Sequence, residues 1–178
     1  MKPENQPHKF IEPNIHIGNI IERIIMLRKV KKNKLAEILH CSDDTITAIC
    51  VNQDIEAEVL VKISLFVGYN FFKHYQNDVT QAILSNNYCL FIGDVIDIDM
   101  SVIKEKIHIG KMLQQQMEKK GIKLLGLANN FLYKTESTAS RFWNKESFDT
   151  YYIFNLSIWL KLNFFLYYYE HIENLLSD

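Results

Sequence analysis

Apolar residues recur with the period of an α-helix along most of the chain. The clearest stripe has the i, i+3, i+4, i+7, i+8 spacing that places every member on one face of a helix. It consists of Ile17, Ile20, Ile21, Ile24 and Ile25. Shorter stripes follow over residues 35–39, 46–50 and 59–67, and Phe71 and Phe72 begin a final apolar turn or helix. The pattern predicts four to five short helices between residues 14 and 76.

The same plan occurs a second time. His16-Ile17-Gly18 is repeated as His108-Ile109-Gly110, and Asn70-Phe71-Phe72 is repeated as Asn163-Phe164-Phe165. The first pair of tripeptides is 92 positions apart and the second pair is 93 apart, so the second copy carries one extra residue. We place that residue in the turn before Thr138, because insertions in turns are well tolerated. A period of this length exceeds the about 20 to 50 residues of a stacked solenoid unit.

The repeat defines two domains, which we call the first copy (residues 14–76) and the second copy (residues 105–176). Residues 77–104 lie between them, where Val79, Ala82 and Ile83 have helical spacing and residues 95–100 partly alternate. We therefore predict an all-α protein in which two small helical domains are joined by a helix and an extended linker.

The third predicted helix of the first copy has a recognisable beginning. Ser42 is suited to cap the helix by accepting a backbone hydrogen bond, and the dipole of the helix favours Asp43 and Asp44 in the first turn. Ile46, Ile49 and Cys50 then share one face. In the second copy Ala139, Phe142 and Trp143 have the corresponding spacing.

Composition narrows the class of protein further. The 178 residues are 48% hydrophobic and 23% charged, with six glycines and three prolines, which is typical of a helix-rich globular protein. The three cysteines have no CxxC spacing and the six histidines form no ligand pair. We therefore expect no metal, no cofactor and no disulfide framework, and no small-molecule substrate is evident.

Two observations bear on localisation. The first 13 residues contain no apolar segment of a signal peptide, so export is not indicated and we expect a cytoplasmic protein. The most hydrophobic tract, residues 151–169, is interrupted by Asn155, Ser157 and Lys161, well short of about 18 continuous apolar residues. We interpret this tract as core and expect no membrane partner.

Positive charge is concentrated in one part of the chain. The formal net charge of −1 argues against a uniformly basic nucleic-acid binder. Residues 119–145, however, carry six lysine or arginine residues against Glu136 alone, a local charge of +5. The corresponding residues 27–52 carry five basic and three acidic residues, a local charge of +2.

Against this background, two segments resemble a known motif. Leu35-Ala36-x-x-Leu39 is followed by Ser42 and Thr45-Ile46, and residues 137–144 read Ser-Thr-Ala-Ser-Arg-Phe-Trp-Asn. These segments are similar to phage-repressor-type (Xre-type) bacterial helix-turn-helix regulators, and with their flanks the likeness covers about two thirds of the chain. The resemblance implies two tandem lambda-repressor-like helix-turn-helix modules. It also implies a transcriptional regulator that binds double-stranded DNA sequence-specifically and associates with the nucleoid when bound.

In such a motif the second helix lies in the major groove and the helix before it crosses the backbone. The resemblance therefore implies a set of DNA-contacting residues, among which Arg141 is suited to bidentate pairing with guanine. In the second copy the set is Lys123, Lys134, Thr135, Ser137, Thr138, Ser140, Arg141, Asn144 and Lys145. In the first copy it is Lys31, Lys32, Lys34, Ser42, Thr45 and Thr47.

The first copy departs from the motif where its third helix begins. Asp43 and Asp44 would repel phosphates at this position, although an aspartate can accept a hydrogen bond from cytosine N4. We therefore expect the second copy to be the more DNA-competent, and leave open whether the first copy touches DNA.

Other functions stay open at this point. The near-zero net charge, the two aspartates and the aromatic residues 164–169 also fit a degenerate helix-turn-helix protein that binds other proteins, such as an antitoxin-like or anti-regulatory protein. The two copies could act as a covalent pseudo-dimer or within a homodimer. We do not expect an enzyme, because no nucleophile–base pair, phosphate-binding loop or metal-ligand spacing occurs. His16 and His108 are interpreted as parts of a shared helix start, and the aromatic run as a packing surface.

Overall fold

The computed structural model describes residues 9–85 and 107–177, and every regular element within these ranges is helical. The all-α prediction is confirmed. The first copy contains α1 (Ile17–Leu27), α2 (Lys32–Leu39), α3 (Asp43–Val51), α4 (Ala57–Val67) and α5 (Lys73–Ser85). The second contains α6 (Ile109–Lys119), α7 (Leu124–Gly126) continued by a π-helical segment (Leu127–Leu132), α8 (Glu136–Trp143), α9 (Thr150–Leu160) and α10 (Phe165–Ser177).

The predicted end of the first copy and the predicted linker can be compared with these helix bounds. The helix α5 crosses residue 76, where the sequence repeat was taken to end, because Val79 is fully buried and α5 packs against α9 and α10 of the second copy. The predicted extended linker, residues 95–100, lies outside the described residues. None of the described helices is long and apolar enough to cross a membrane.

The repeated His-Ile-Gly tripeptide forms the start of α1 and of α6. Nδ1 of His16 accepts a hydrogen bond from the Asn19 amide at 3.3 Å, and Nδ1 of His108 accepts one from the Lys111 amide at 3.3 Å. The imidazole thus satisfies a backbone donor that the first turn of the helix leaves unpaired. The interpretation of both histidines as helix-start residues is confirmed.

The glycine of each tripeptide permits close contact with the end of the third helix. The Gly18 amide donates to the Asn52 carbonyl at 3.1 Å, and the Gly110 amide donates to the Lys145 carbonyl at 3.0 Å. A Cβ atom at Gly18 would lie 2.5 Å from the carbonyl oxygens of Asn52 and Ile49. One at Gly110 would lie 2.4 Å from the carbonyl oxygen of Phe142. A methyl group does not fit at either position.

The extra residue of the second copy lies in a helix, so its predicted position in the turn was wrong. Both turns have the same length: His40, with φ of 53°, precedes the Ser42 cap by two residues, and Tyr133, with φ of 52°, precedes the Thr135 cap by two. The additional residue is absorbed by the π-helical segment Leu127–Leu132. A single π turn accommodates one residue within a helix, whereas the left-handed residue and the cap fix the turn.

The two copies pack against each other through equivalent positions. Glu56 and Asp149, 93 positions apart, form an isolated antiparallel bridge. Around it the Ala57 amide donates to the Phe148 carbonyl at 3.0 Å, and the Thr150 amide donates to the Ile55 carbonyl at 2.8 Å. Ala57 corresponds to Thr150 and Ile55 to Phe148, each 93 positions apart in the sequence. The two hydrogen bonds are therefore equivalent, as they are across a two-fold axis.

Aromatic rings continue this reciprocal contact. Tyr75 stacks on Phe165 with 4.3 Å between ring centroids, and its counterpart Tyr168 stacks on Phe72 at 4.8 Å. Stacked pairs of this kind add to the free energy of apolar burial. Phe164, Phe165, Tyr167 and Tyr168 are all buried, so the aromatic run is a packing surface as predicted.

Two asparagines make the reciprocal polar contacts of this interface. Nδ2 of Asn70 donates to the Tyr169 carbonyl at 2.8 Å, and Nδ2 of Asn163 donates to the Gln76 carbonyl at 3.4 Å. Their Oδ1 atoms accept from the amides of Phe72 and Phe165. The repeated Asn-Phe-Phe tripeptide is therefore an interface element, and the copies are related by an approximate two-fold axis near the Glu56–Asp149 bridge.

The segment before α1 crosses onto the second copy. Asn155, fully buried on α9, accepts from the Ile11 amide at 2.7 Å and donates to the Ile11 carbonyl at 3.1 Å. The ring of Phe10 lies 4.9 Å from that of Phe131. The side-chain amide of Asn155 thus bonds both backbone groups of Ile11, as the backbone of a neighbouring β-strand would.

We expect Asn155→Leu to lower the free energy of unfolding by about 2 kcal/mol, because the partly buried Ile11 backbone groups lose their partners. Asn14→Ala is the matched control, since its side chain makes an exposed hydrogen bond to Asp78 and the change is expected to cost at most about 0.5 kcal/mol. Urea unfolding of the full chain measures both values. Equal losses would show that Asn155 does not hold the segment.

Candidate nucleic-acid interface

The helix α8 and its two cap residues carry six of the nine DNA-contacting residues predicted in the second copy. Thr135 caps it, accepting from the Thr138 amide at 3.4 Å, and Ala139 is fully buried on its inner face. Phe142 follows one turn later, and its ring lies 4.9 Å from that of Phe148. These contacts fix the rotation of α8 about its axis and determine which side chains face solvent.

Three polar side chains line the outer face of α8. Ser137, Arg141 and Asn144 are all exposed, and their i, i+4, i+7 spacing places them in one row along the helix. We call this row the α8 stripe. Among the described residues, no side-chain hydrogen bond or ion pair engages any of the three. A guanidinium, a hydroxyl and an amide in one row are suited to read the edges of bases.

Lysines flank the α8 stripe. Lys134 lies in the turn before α8 and Lys145 follows its end, and both are exposed. The ammonium group of Lys145 lies 5.4 Å from the ring centroid of Phe148, which holds its stem near the end of the helix. Lys123, at the start of α7, is exposed as well. Within the described ranges no carboxylate forms an ion pair with these lysines, so their charges are available to phosphates.

Several predicted hydroxyl contacts are used inside the helices. Thr47 donates to the Asp43 carbonyl at 3.1 Å, and its counterpart Ser140 donates to the Ser137 carbonyl at 2.9 Å. Ser42 and Thr45 bond to each other at 3.0 Å, as do Thr135 and Thr138 at 3.2 Å. Ser42 caps α3 as predicted. These hydroxyls order the helix starts, and Thr138 and Ser140 are only partly exposed.

The lysines of the first copy are less available than predicted. Lys32 bonds to Glu22 at 3.1 Å, and this hydrogen bond raises the pKa of the Lys32 ammonium. Lys34 bonds to Glu37 at 2.8 Å, which raises the pKa of Lys34 and lowers that of the carboxyl. Of the three predicted lysines only Lys31 has no such partner among the described residues. Phosphate binding by the other two would compete with an internal carboxylate.

The outer face of α3 differs in chemistry from that of α8. The counterparts of Ser137, Arg141 and Asn144 are Asp44, Ala48 and Val51, all exposed, and Val51 exposes 65% of its surface. We call them the α3 stripe. Ala48 and Val51 were not among the residues predicted from the sequence, although the 93-residue offset aligns them with Arg141 and Asn144.

The other places considered as functional sites are a surface groove and clusters of metal-binding side chains. A groove of about 320 Å³ is lined by Glu12, Pro13, Gln53, Asp54 and Tyr151. Its lining holds no serine, cysteine, histidine or lysine, and burial raises the pKa of the Tyr151 hydroxyl. No group of three or more histidine, cysteine, aspartate or glutamate side chains within the described ranges is arranged to hold a metal ion.

Comparisons with known proteins give no further assignment. Neither a protein-family model, nor a curated protein, nor a solved structure matches this chain. The candidate interface therefore rests on the geometry of α3 and α8 and on the sequence resemblance.

Proposed function

We propose that the protein is a sequence-specific double-stranded DNA-binding transcriptional regulator of phage-repressor type, in which α8 enters the major groove. The observation that carries this proposal is the α8 stripe together with the flanking Lys134 and Lys145, which have no carboxylate partner among the described residues. Arg141 pairs with a base edge, and the lysines neutralise phosphates on either side. The second copy supplies most of the affinity.

The reciprocal contact between the copies supports simultaneous binding by α3 and α8. A two-fold rotation keeps both helices at the same height along its axis, and one duplex lying across the axis contacts both if their outer faces point along that axis. Five residue steps separate Val51 from Glu56, a span of at most about 18 Å, and the bridge adds about 5 Å. Asn144 lies the same number of steps from Asp149, so Val51 and Asn144 are at most about 41 Å apart, a limit that includes the half-site spacing of about 34 Å.

Salt dependence of binding to a random-sequence duplex tests this proposal. Neutralised phosphates release counterions, so the logarithm of the association constant falls linearly with the logarithm of salt concentration. We expect Lys134→Gln to reduce that slope by about one. The control Lys62→Gln removes the same charge from α4, where Lys62 pairs with Glu58 at 3.4 Å, and should leave the slope unchanged. No retained duplex at low salt would overturn the proposal.

A protein-binding function is the second candidate, and exposed apolar side chains of the first copy favour it. Met26, Leu27 and Ile38 expose 63%, 68% and 48% of their surfaces. Such side chains suit a partner helix better than phosphates. A partner complex that survives high salt, together with absent duplex binding, would favour this candidate.

A further inference from the structure

The outer faces of α3 and α8, which the two-fold axis relates, carry different side-chain chemistry. The α8 stripe presents a hydroxyl, a guanidinium and an amide, whereas the α3 stripe presents a carboxylate, a methyl group and an isopropyl group. A two-fold arrangement with identical stripes would read an inverted repeat, because each helix would meet the same bases. This chain instead presents two different sets of side chains at equivalent positions.

We propose that the protein recognises an asymmetric duplex with two unlike half-sites about one helical turn apart, and that the α3 stripe reads thymine methyl groups. This inference rests on the proposed function. Arg141 on α8 selects guanine in one half-site. Ala48 and Val51 on α3 contact thymine C5-methyl groups in the other, and Asp44 accepts a hydrogen bond from cytosine N4.

The chemistry of the α3 stripe favours contact with thymine methyl groups over contact with phosphates, and its position corresponds to that of the α8 stripe. Ala48 and Val51 carry no charge and no polar side-chain atom, so they have nothing to offer a phosphate. Asp44 repels the backbone but accepts from a cytosine amino group. The stripe is also the positional counterpart of Ser137, Arg141 and Asn144, and both third helices are held by the same glycine contact, at Gly18 and at Gly110.

Uracil substitution in the preferred duplex isolates the methyl contact. The duplex is first enriched from a random pool with the full chain, and thymines are then replaced by uracil in one half-site at a time. We expect about fourfold weaker binding for each buried methyl group removed from the α3 half-site, and no change when the other half-site is substituted. Equal binding of the thymine and uracil duplexes would overturn the inference.

A variant that copies the α8 stripe onto α3 provides the second test. Asp44→Ser, Ala48→Arg and Val51→Asn together change only exposed positions, so the fold is expected to persist. Enrichment with this triple variant should yield an inverted repeat in place of the asymmetric site. If the wild-type chain already enriches an inverted repeat, or a single half-site beside random sequence, the inference fails while the proposed function stands. If neither chain enriches any duplex, the proposed function itself fails.

Discussion

Replacing Arg141 by glutamate is expected to weaken binding to the preferred duplex by roughly a hundredfold. A bidentate arginine–guanine pair contributes about 1 to 3 kcal/mol of discrimination, and each 1.4 kcal/mol is a tenfold change in affinity. The new carboxylate adds repulsion from the phosphates. Because Arg141 is exposed and makes no internal ion pair among the described residues, the change should leave the free energy of unfolding nearly unaltered. Fluorescence anisotropy with the labelled duplex measures the loss.

Two companion variants give this prediction its controls. Arg23→Glu reverses the same charge at an exposed position on α1 and should change affinity by no more than about threefold. Asp43→Lys removes a carboxylate from the start of α3 and is expected to leave affinity unchanged or to raise it. Equal losses from Arg141→Glu and Asp43→Lys would contradict the account of α8 as the principal reading helix.

Gly110→Ala is expected to lower the free energy of unfolding by about 3 kcal/mol. The added Cβ atom would lie 2.4 Å from the Phe142 carbonyl oxygen and 2.6 Å from that of Trp143. The start of α6 and the end of α8 must separate to admit it, which weakens the Gly110–Lys145 hydrogen bond. Denaturation in urea, followed by circular dichroism, measures the change.

Gly18→Ala and Gly121→Ala complete the comparison. Gly18 makes the equivalent contact in the first copy, so a loss of similar size is expected there. Gly121 has φ of +67° but nothing within 4 Å of an added Cβ, so only the left-handed backbone is strained, at about 1 kcal/mol. A loss at Gly110 no larger than that at Gly121 would show that the helix contact tolerates a methyl group.

The sequence predicted the helical elements well because local signals govern them. The isoleucine stripe of α1 buries Ile17, Ile21 and Ile25, and Ser42 caps α3 through its own side chain. The π-helical segment Leu127–Leu132 was not predicted. The change of offset between the copies shows that one residue is inserted, but it does not show where the inserted residue lies. Periodicity alone does not tell whether a helix or a turn absorbs an extra residue.

The candidate nucleic-acid interface could be predicted only in part. Whether a predicted side chain is free to contact DNA depends on its contacts with residues distant in the sequence. The exposed Ser137, Arg141 and Asn144 follow from helical spacing. The pairing of Lys32 with Glu22 joins two helices and has no local signal, so Lys32 seemed available from the sequence. The reciprocal contact at Glu56 and Asp149 joins residues 93 positions apart, and only the packing of the two copies reveals it.

Enrichment from a pool of random duplexes by the full chain, at two salt concentrations, tests the central claim most directly. We predict that one duplex sequence is enriched, that raised salt weakens its retention, and that its two contacted segments are about 34 Å apart. Failure to enrich any sequence, with no duplex retained at low salt, would contradict DNA recognition by α3 and α8.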